Sequence, residues 1–471
     1  MSEEETSAPA LTILSALDDP NLFGSHFRGD TWGAWRVFLK SLFALSFDKG
    51  ELETYQKHTE RKDPPAKPAK EGWVIVGRRG GKSRISALVA VWLACFRDYR
   101  PYLAPGERGT LMVLAADRRQ ARTVMRYIGG FFDTIPLLSQ MVERRDTESL
   151  HLNNRVSIEV HTGSFRAIRG YTCIGCIADE IAFWRSDDYS ANPDIEIING
   201  LRPGMSTIPG SLLLAISSPY ARRGALWRAY RSHYGKDGDP ILLWRGDTLS
   251  MNEAVDPAII EAAYEADPVA AGAEYGAEFR KDLESYVDRE VVDACVQLGL
   301  HEIPPGTESY TCFIDPAGGS GGDSFTLAIG HLQDDVKVLD CLRERRPPFS
   351  PDQVTAEYAE LMKSYGCHRA FGDRFAGGWP VERFREHGVN YEQSAKPKSE
   401  LYAALLPDLN SGRVQLLDHP RLIGQLCSLE RRTSRGGRDS VDHEPGSHDD
   451  VSNVLAGLAQ HLRQQSRVWV L

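Results

Sequence analysis

The sequence predicts an α/β protein built from two domains. Its 471 residues exceed the usual size of a single domain. Short apolar runs typical of buried strands, at 73–76, 111–115 and 212–216, alternate with segments of helical periodicity. This alternation favours an open, mostly parallel sheet with helices on both faces. The turn Pro304-Pro305-Gly306 separates these runs from a second set, which begins at Tyr310.

The same apolar runs and turns divide the chain into segments. We assign residues 1–30 to a flexible N-terminal lead, 31–281 to the first domain, 282–306 to a linker and 307–471 to the second domain. The acidic lead is unlike a signal or transit peptide, and no apolar run is long enough to span a membrane. Eight scattered cysteines, mostly inside apolar runs, predict reduced core thiols in a cytosolic protein. The net charge of −10 argues against indiscriminate coating of nucleic acid.

A glycine-rich segment at 77–83, Gly-Arg-Arg-Gly-Gly-Lys-Ser, joins the first apolar strand to a helix. Such a turn directs backbone N–H groups and a helix N-terminus at one point, which suits a triphosphate. Lys82 would reach the β- and γ-phosphates, and the Ser83 hydroxyl would bind Mg²⁺. The first glycine lies one residue closer than in the usual P-loop, so a glycine-rich loop without a ligand is the alternative. The candidate nucleotide-binding residues are Gly77, Arg78, Arg79, Gly80, Gly81, Lys82 and Ser83.

Polar residues end two further apolar strands. Asp179 and Glu180 follow one strand about a hundred residues after the P-loop. Asp179 would hold the Mg²⁺ shell, and Glu180 would orient and deprotonate the attacking water. Ser217 and Ser218 end another strand, where they would sense the γ-phosphate unless they only form a turn. Together with the P-loop, these residues predict ATP hydrolysis.

Aspartates mark the second domain. Asp315 and Asp373 end strands, Asp323 follows a glycine-rich turn, and the pair Asp449-Asp450 begins a helix. Carboxylates gathered in this way repel one another unless hard cations neutralise them. Two Mg²⁺ or Mn²⁺ ions roughly 3.5–4 Å apart would support phosphodiester cleavage. Neighbours on a helix diverge by about 100°, so one of the pair would be the direct ligand. Each aspartate could instead be a cap or a turn former.

The order of these parts resembles the large terminase subunit of tailed bacteriophages. The motifs that carry the resemblance are GRRGGKS (77–83), CIADE (176–180), SSP (217–219), FIDPAGGSGGD (313–323), FGD (371–373) and SHDD (447–450). The resemblance covers residues 32–462 and includes the shortened P-loop. It implies a P-loop NTPase domain followed by a ribonuclease H-like α/β nuclease domain.

The resemblance also implies roles for individual residues. Lys82, Glu180, Asp315, Asp373 and Asp449 would be catalytic, Ser83 and Asp179 would hold the Mg²⁺ of the ATPase, and Asp323 and Asp450 would join the nuclease metal ligands. The arginine that stabilises the γ-phosphate stays open between Arg79 in the loop and Arg166 or Arg169, which could serve a neighbouring subunit.

By the same resemblance, the enzyme cuts concatemeric viral double-stranded DNA and drives it into a procapsid. A homo-oligomeric ring at the portal protein, with a small terminase subunit, would do this in the cytoplasm of the infected bacterium, away from membranes. A helicase-like ATPase fused to a repair or recombination nuclease is the alternative, but 219–304 is too short for a second motor domain. A third possibility is a nucleotide-gated DNA-binding protein with an inactive nuclease, which Mn²⁺-dependent plasmid nicking would distinguish.

Overall fold

The computed structural model describes residues 11–115, 118–162, 170–184, 193–280, 282–373, 379–433, 439–443 and 448–462. These residues form two compact units, with the first ending at residue 280 and the second beginning at residue 282. Both units are α/β, and the predicted fold class is confirmed. Among the described helices, none is both long and apolar enough to cross a membrane.

The first unit is built around one large sheet. Its strands are β1 (Glu71–Val76), β2 (Gly109–Ala115), β3 (Val142–Arg145), β4 (Ser149–Leu152), β5 (Val156–Thr162), β6 (Thr172–Asp179), β7 (Leu212–Ser217) and β8 (Ile241–Gly246). Its helices are α1 (Ile13–Asp18), α2 (Gly33–Phe43), α3 (Glu51–Thr59), α4 (Lys82–Cys95), α5 (Arg118–Thr134), α6 (Pro136–Ser139), α7 (Pro193–Met205), α8 (Gly224–His233), α9 (Thr248–Met251), α10 (Pro257–Ala266) and α11 (Pro268–Glu274).

The strand order of this sheet places three strand ends side by side. The order is β3-β4-β5-β2-β6-β7-β1-β8, and the strands from β5 to β8 in this order are parallel. The carboxyl ends of β6, β7 and β1 therefore meet at one edge, with β7 in the middle. Edges of this kind are where open α/β sheets bind ligands.

Helices cover both faces of the sheet because its side chains alternate along each strand. On β1, Val74 and Val76 face a core that contains Leu88 of α4, whereas Trp73 and Ile75 face a second core. That second core contains Leu226 of α8. Continuous apolar runs such as 73–76 thus reflect strands that are buried on both sides.

Residues 11–30, the described part of the segment predicted as a flexible lead (1–30), contain a helix and buried side chains, whereas residues 1–10 lie outside the described residues. Thr12 caps α1 by accepting a hydrogen bond from the Ser15 N–H. Ile13, Leu17 and Phe23 are buried in the core of the first unit. The helix has only six residues, which is too short for helical periodicity to show in the sequence.

The second unit holds a mixed sheet and a small antiparallel one. The strands are β9 (Leu283–Ser285), β10 (Val296–Gln297), β11 (Tyr310–Asp315), β12 (Phe325–Gln333), β13 (Val336–Arg345), β14 (Arg369–Gly372), β15 (Asn390–Gln393), β16 (Val414–Leu417), β17 (Leu429–Thr433) and β18 (Asp439–His443). The helices are α12 (Arg289–Cys295), α13 (Pro351–Ser364), α14 (Trp379–Glu386), α15 (Lys398–Asn410), α16 (Pro420–Ser428) and α17 (Asp450–Leu462).

The mixed sheet has the order β10-β16-β13-β12-β11-β14-β15. The strands β11, β12 and β13 are antiparallel neighbours, and β14 runs parallel to β11. Phe313 faces a core shared with α15 and α17, whereas Cys312 and Ile314 face the core under α13 and α14. The ends of β11 and β14 consequently lie together beside the first turn of α17.

Residues 282–306, predicted as a linker, contain β9, α12 and β10. Strand β9 pairs with β17, and β10 pairs with β16. Val292 is fully buried in the core of the second unit. The sequence does not reveal these elements because their strand partners lie more than a hundred residues away along the chain.

Candidate active sites

The P-loop of the first unit connects β1 to α4 and needs glycine at both of its ends. A Cβ atom on Gly77 would collide with the Thr248 hydroxyl and the Tyr275 carbonyl oxygen. Gly81 has φ of +95°, a conformation that side-chain-bearing residues rarely adopt. The predicted glycine-rich turn between strand and helix is therefore present, and α4 begins at Lys82.

Residues far along the sequence hold the P-loop from outside. The N–H of Gly77 donates to the Gly246 carbonyl oxygen at 3.2 Å. The Thr248 hydroxyl donates to the carbonyl oxygen of Arg78, and the Asn252 amide donates to that of Arg79, each at 2.8 Å. The Arg78 N–H donates to the Glu274 carbonyl oxygen. The predicted N–H donors at Gly77 and Arg78 are thus engaged with the protein.

The loop's remaining donors lie closer to the helix. The N–H groups of Lys82 and Ser83 are in the first turn of α4, where no intrahelical acceptor exists. The Trp35 indole N–H donates to the Gly80 carbonyl oxygen at 2.7 Å. Trp32 lies against Gly81. The aromatic segment that precedes the P-loop in the sequence therefore contacts the loop.

Lys82 is buried at the mouth of the loop. Its ammonium donates to the Val76 carbonyl oxygen at 2.8 Å and to the Ser218 hydroxyl at 2.7 Å. It also lies 3.6 Å from the Glu180 carboxylate. Burial lowers the pKa of Lys82, whereas the charges of Glu180 and Asp179 oppose that shift.

Asp179 is the last residue of β6 and is only 4% exposed. Burial, with the neighbouring Glu180 charge, raises the pKa of its carboxyl group to about 7. Its Oδ1 atom has no hydrogen-bond partner among the described residues. A buried carboxylate oxygen of this kind at the end of β6 fits a divalent cation such as Mg²⁺.

Glu180 is fixed by the end of β7. Its backbone adopts φ of +49°, which turns the chain after β6. Its Oε2 atom accepts hydrogen bonds from the Ser217 hydroxyl and the Ser218 N–H, both at 3.1 Å. Because β7 lies between β1 and β6, Ser218 contacts both the P-loop lysine and the Glu180 carboxylate.

Of the three arginines that are candidates for the γ-phosphate, only Arg79 lies among the described residues. Arg79 is exposed, with φ of +63°, and its side chain has no protein partner among the described residues. The Arg78 guanidinium lies 3.3 Å from the Glu274 carboxylate. Arg166 and Arg169 lie outside the described residues.

The second unit brings Asp315 and Asp373 together through a residue that the sequence analysis did not single out. The Asn453 amide nitrogen donates to one carboxylate oxygen of each aspartate, both at 2.7 Å. Burial raises the pKa of Asp315 well above its usual range, and the Asp373 charge raises it further. Burial also raises the pKa of Asp373, against the effect of Asn453 and Lys398. These carboxyl groups suit divalent cations, whose charge would offset their repulsion.

Asp449 and Asp450 diverge as predicted for neighbours at a helix start. Asp449 is buried, and its two carboxylate oxygens contact the Lys398 ammonium at 3.0 and 3.2 Å. The Tyr402 hydroxyl donates to the same carboxylate at 2.8 Å. Burial disfavours the charge of Lys398, but Asp449 and Asp442 outweigh this effect and raise the pKa of its ammonium.

Asp450 forms a second group with Asp323 and His448. One ligand atom from each of the three side chains lies within 4.8 Å of the others. The Ser324 N–H donates to Asp450 Oδ2 at 2.9 Å, which connects the start of α17 to the turn before β12. The charge of Asp450 also raises the pKa of Asp315, so the two groups of carboxylates are electrostatic neighbours.

The sequence contains an indication of two site residues that the sequence analysis did not single out, Asn453 and His448. Asn453 follows Asp449, the residue before α17, by four positions, so it lies one helical turn further along the same side. His448 directly precedes the aspartate pair. Lys398 had no such signal, since it lies on a helix about fifty residues earlier.

Comparisons with known proteins give the following similarities. No protein-family model and no curated protein matches the sequence. The large terminase of bacteriophage HK97 is 15% identical, over 84% of this chain and 91% of that chain, with a TM-score of 0.38. The large terminase of a thermophilic bacteriophage in complex with ATP-gamma-S is 13% identical, over 83% and 94%, with a TM-score of 0.35. The large terminase nuclease of thermophilic phage G20c with bound magnesium is 19% identical, over 36% and 94%, with a TM-score of 0.31.

The roles of individual side chains are inferred from the geometry above. Large terminases from several phages are among the solved structures to which this chain is similar over most of its length.

Proposed function

We propose that this chain is a large terminase subunit, which hydrolyses ATP in its first unit and cuts double-stranded DNA in its second. The observation that supports the ATPase best is the connection from Lys82 through Ser218 to Glu180. It places a cation for phosphates and a carboxylate for proton transfer at the same sheet edge.

In the proposed ATPase, each residue has a defined task. The N–H groups at the start of α4 and the Lys82 ammonium bind the β- and γ-phosphates. Asp179 and Ser83 hold Mg²⁺, which neutralises phosphate charge when bound. Glu180, oriented by Ser217 and Ser218, accepts the proton of the attacking water.

In the proposed nuclease, Asp315, Asp373 and Asp450 are the direct metal ligands. Lys398 and Tyr402 already contact the carboxylate of Asp449, so we assign Asp449 a positioning role. Mg²⁺ or Mn²⁺ would activate water and stabilise the leaving 3′ oxygen. Asn453 holds two of these ligands, Asp315 and Asp373, close together through one amide nitrogen.

The assignment of Asp450 rather than Asp449 has a direct test. Asp450→Asn should abolish metal-dependent nicking, whereas Asp449→Asn should slow it and leave residual activity. Equal loss in both variants would make the two aspartates joint ligands. In this proposal, Asp323 and His448 are the further metal-ligating side chains beside Asp450.

The proposed biological task is to translocate viral DNA into a procapsid. The partners would be the portal protein, a small terminase subunit and further copies of this chain in a ring, in the cytoplasm of the infected bacterium. Arg79, or Arg166 or Arg169 from a neighbouring subunit, would stabilise the γ-phosphate.

The decisive experiment is ATP-dependent uptake of DNA into purified procapsids that carry portal. Uptake by the wild-type chain, and its loss in Glu180→Gln, is the expected result. DNA unwinding without uptake would favour the helicase-like alternative. ATP hydrolysis without any metal-dependent cutting would favour the nucleotide-gated DNA-binding protein.

A further inference from the structure

A pocket of about 630 Å³ lies at the edge of the first sheet opposite the P-loop. The first residues of β1 and β7, Glu71 and Leu212, contribute to its wall. Because β1 and β7 are parallel, their first residues share an edge, and their last residues lead to the nucleotide site at the other edge. The pocket is therefore distinct from the candidate nucleotide site of the same unit.

The floor of the pocket is apolar. Among the lining residues, Phe43 is half-buried, and Met205, Ile208 and Leu213 are buried. Concave, mostly apolar pockets of this size with a few polar groups are the usual form of ligand sites. The lining thus suits one large apolar group.

The backbone around the pocket is fixed. The Ala69 N–H donates to the Leu42 carbonyl oxygen at 3.0 Å, which ties the wall to the end of α2. The Leu213 N–H donates to the Lys70 carbonyl oxygen at 3.1 Å, which ties the same wall to β7. A ligand would meet a preformed wall and would not have to order it.

The rim of the pocket is positively charged. Lys67, Lys70, Arg97 and Arg202 line it, against the single carboxylate of Glu71. Arg202 pairs with Glu71 at 2.8 Å, so that carboxylate is already neutralised. Lys67 and Lys70 are exposed and form no ion pair with any described residue. The rim therefore offers uncompensated ammonium groups beside an apolar floor.

Arg97 adds a fixed cation to the rim. Its guanidinium donates to the Gly210 carbonyl oxygen at 2.6 Å and stacks over the Phe43 ring with 5.5 Å to the centroid. A guanidinium has five N–H donors, so Arg97 has donors besides the one that Gly210 accepts. A planar guanidinium held in this way suits a carboxylate.

We propose that this pocket binds an acidic segment of a partner protein, which inserts one large apolar side chain and places carboxylates on Lys67, Lys70 and Arg97. The net charge of −10 repels an acidic partner elsewhere, but this repulsion is screened beyond about 8 Å at physiological salt. The local rim therefore determines where such a partner binds. A DNA duplex offers phosphates but no free apolar side chain for the floor. The inference does not depend on ATP hydrolysis or DNA cleavage.

The test uses five fluorescein-labelled nonapeptides of Asp and Glu with a central Trp, Phe, Leu, Met or Ile. Fluorescence anisotropy with the full-length chain should show saturable binding for at least one peptide. Lys67→Glu combined with Lys70→Glu should weaken that binding at least tenfold, and so should Ala at the centre of the peptide. Lys49→Glu combined with Lys57→Glu, which changes the net charge equally at other exposed lysines, should leave the affinity within about twofold.

Three results would overturn the proposal. The first is the absence of saturable binding of all five peptides up to about 1 mM, the weak end of specific affinities. The second is equal weakening in both lysine pairs, which would mean that only net charge matters. The third is an affinity that does not depend on the central residue of the peptide, together with displacement of the peptide by a DNA duplex. That result would make the rim a nucleic-acid contact. Thermal unfolding and ATP hydrolysis of each variant confirm that the first unit is intact.

Discussion

Replacing Asn453 by Ala tests the proposed nuclease most directly. The Asn453 amide donates to Asp315 and Asp373 at 2.7 Å each, and a hydrogen bond to a charged acceptor contributes about 1.5–3 kcal/mol. The Gln425 side-chain oxygen accepts hydrogen bonds from the N–H groups of Val451 and Ser452 and so caps α17. The first turn of α17 should therefore stay folded in Asn453→Ala.

The sign of the effect follows from the pKa shifts. Burial raises the pKa of both carboxyl groups, and the Asn453 hydrogen bonds lower it. Without the amide both pKa values rise, so a larger fraction of Asp315 and Asp373 is protonated at any given pH. A divalent cation must then displace more protons. Residues that orient metal ligands typically affect metal affinity 10- to 100-fold. We expect the half-saturating Mn²⁺ concentration to rise by about that factor, and less so at higher pH.

The assay is plasmid nicking by the full-length chain, titrated with Mn²⁺ at two pH values. Asn410→Ala, which removes an exposed amide at the end of α15, is the matched control and should leave the titration unchanged. A half-saturating concentration that stays within about twofold in Asn453→Ala would refute the role given to this residue. An equal shift at both pH values would mean that proton competition is not the cause.

Four further outcomes are expected. Glu180→Gln should keep nucleotide binding, measured by a fluorescent ATP analogue, and lose at least about 10²-fold in turnover, because the proton acceptor is gone. Lys82→Ala should abolish ATP hydrolysis but keep metal-dependent nicking; loss of nicking in a folded variant would show that the two chemistries are not separable. A fragment of residues 282–471 should fold by circular dichroism and nick DNA without ATP, whereas 307–471 should be less stable, since it lacks β9, α12 and β10. His448→Ala should raise the half-saturating Mn²⁺ concentration for nicking at least about tenfold, because it removes one of the three side chains grouped around Asp450; an unchanged concentration would exclude His448 as a ligand.

Local patterns explain which features could be predicted from the sequence. The glycine-rich turn, the acidic end of β6 and the aspartates at the ends of β11 and β14 each follow an apolar run directly. The strand fixes where the polar residue lies, so a short window of sequence contains the whole signal. The main residues of both candidate sites can therefore be recognised from short windows of the sequence.

Supporting residues were missed because their partners are distant in the sequence. Thr248 and Asn252 hold the P-loop from about 170 residues away, and nothing in their own window indicates this. Strand β9 has three residues and becomes a strand only because β17 pairs with it. Such features depend on tertiary contacts that propensity and periodicity do not encode.

The contacts of Lys82 suggest how nucleotide binding and catalysis are linked in the proposed ATPase. An ammonium has three N–H donors, and those of Lys82 are directed at the Val76 carbonyl oxygen, the Ser218 hydroxyl and, at 3.4 Å, the Gly77 carbonyl oxygen. A triphosphate must therefore replace one of these acceptors, and Ser218 is the side chain among them. Ser218 also donates its N–H to Glu180, so a change at its side chain occurs next to the residue that positions the proton acceptor. We infer that phosphate binding at Lys82 changes the contacts of Ser218 and, through them, the position of Glu180. Ser218→Ala should therefore increase the affinity for nucleotide and lower the turnover of ATP. Unchanged affinity in that variant would mean that the Lys82 contact does not compete with phosphate.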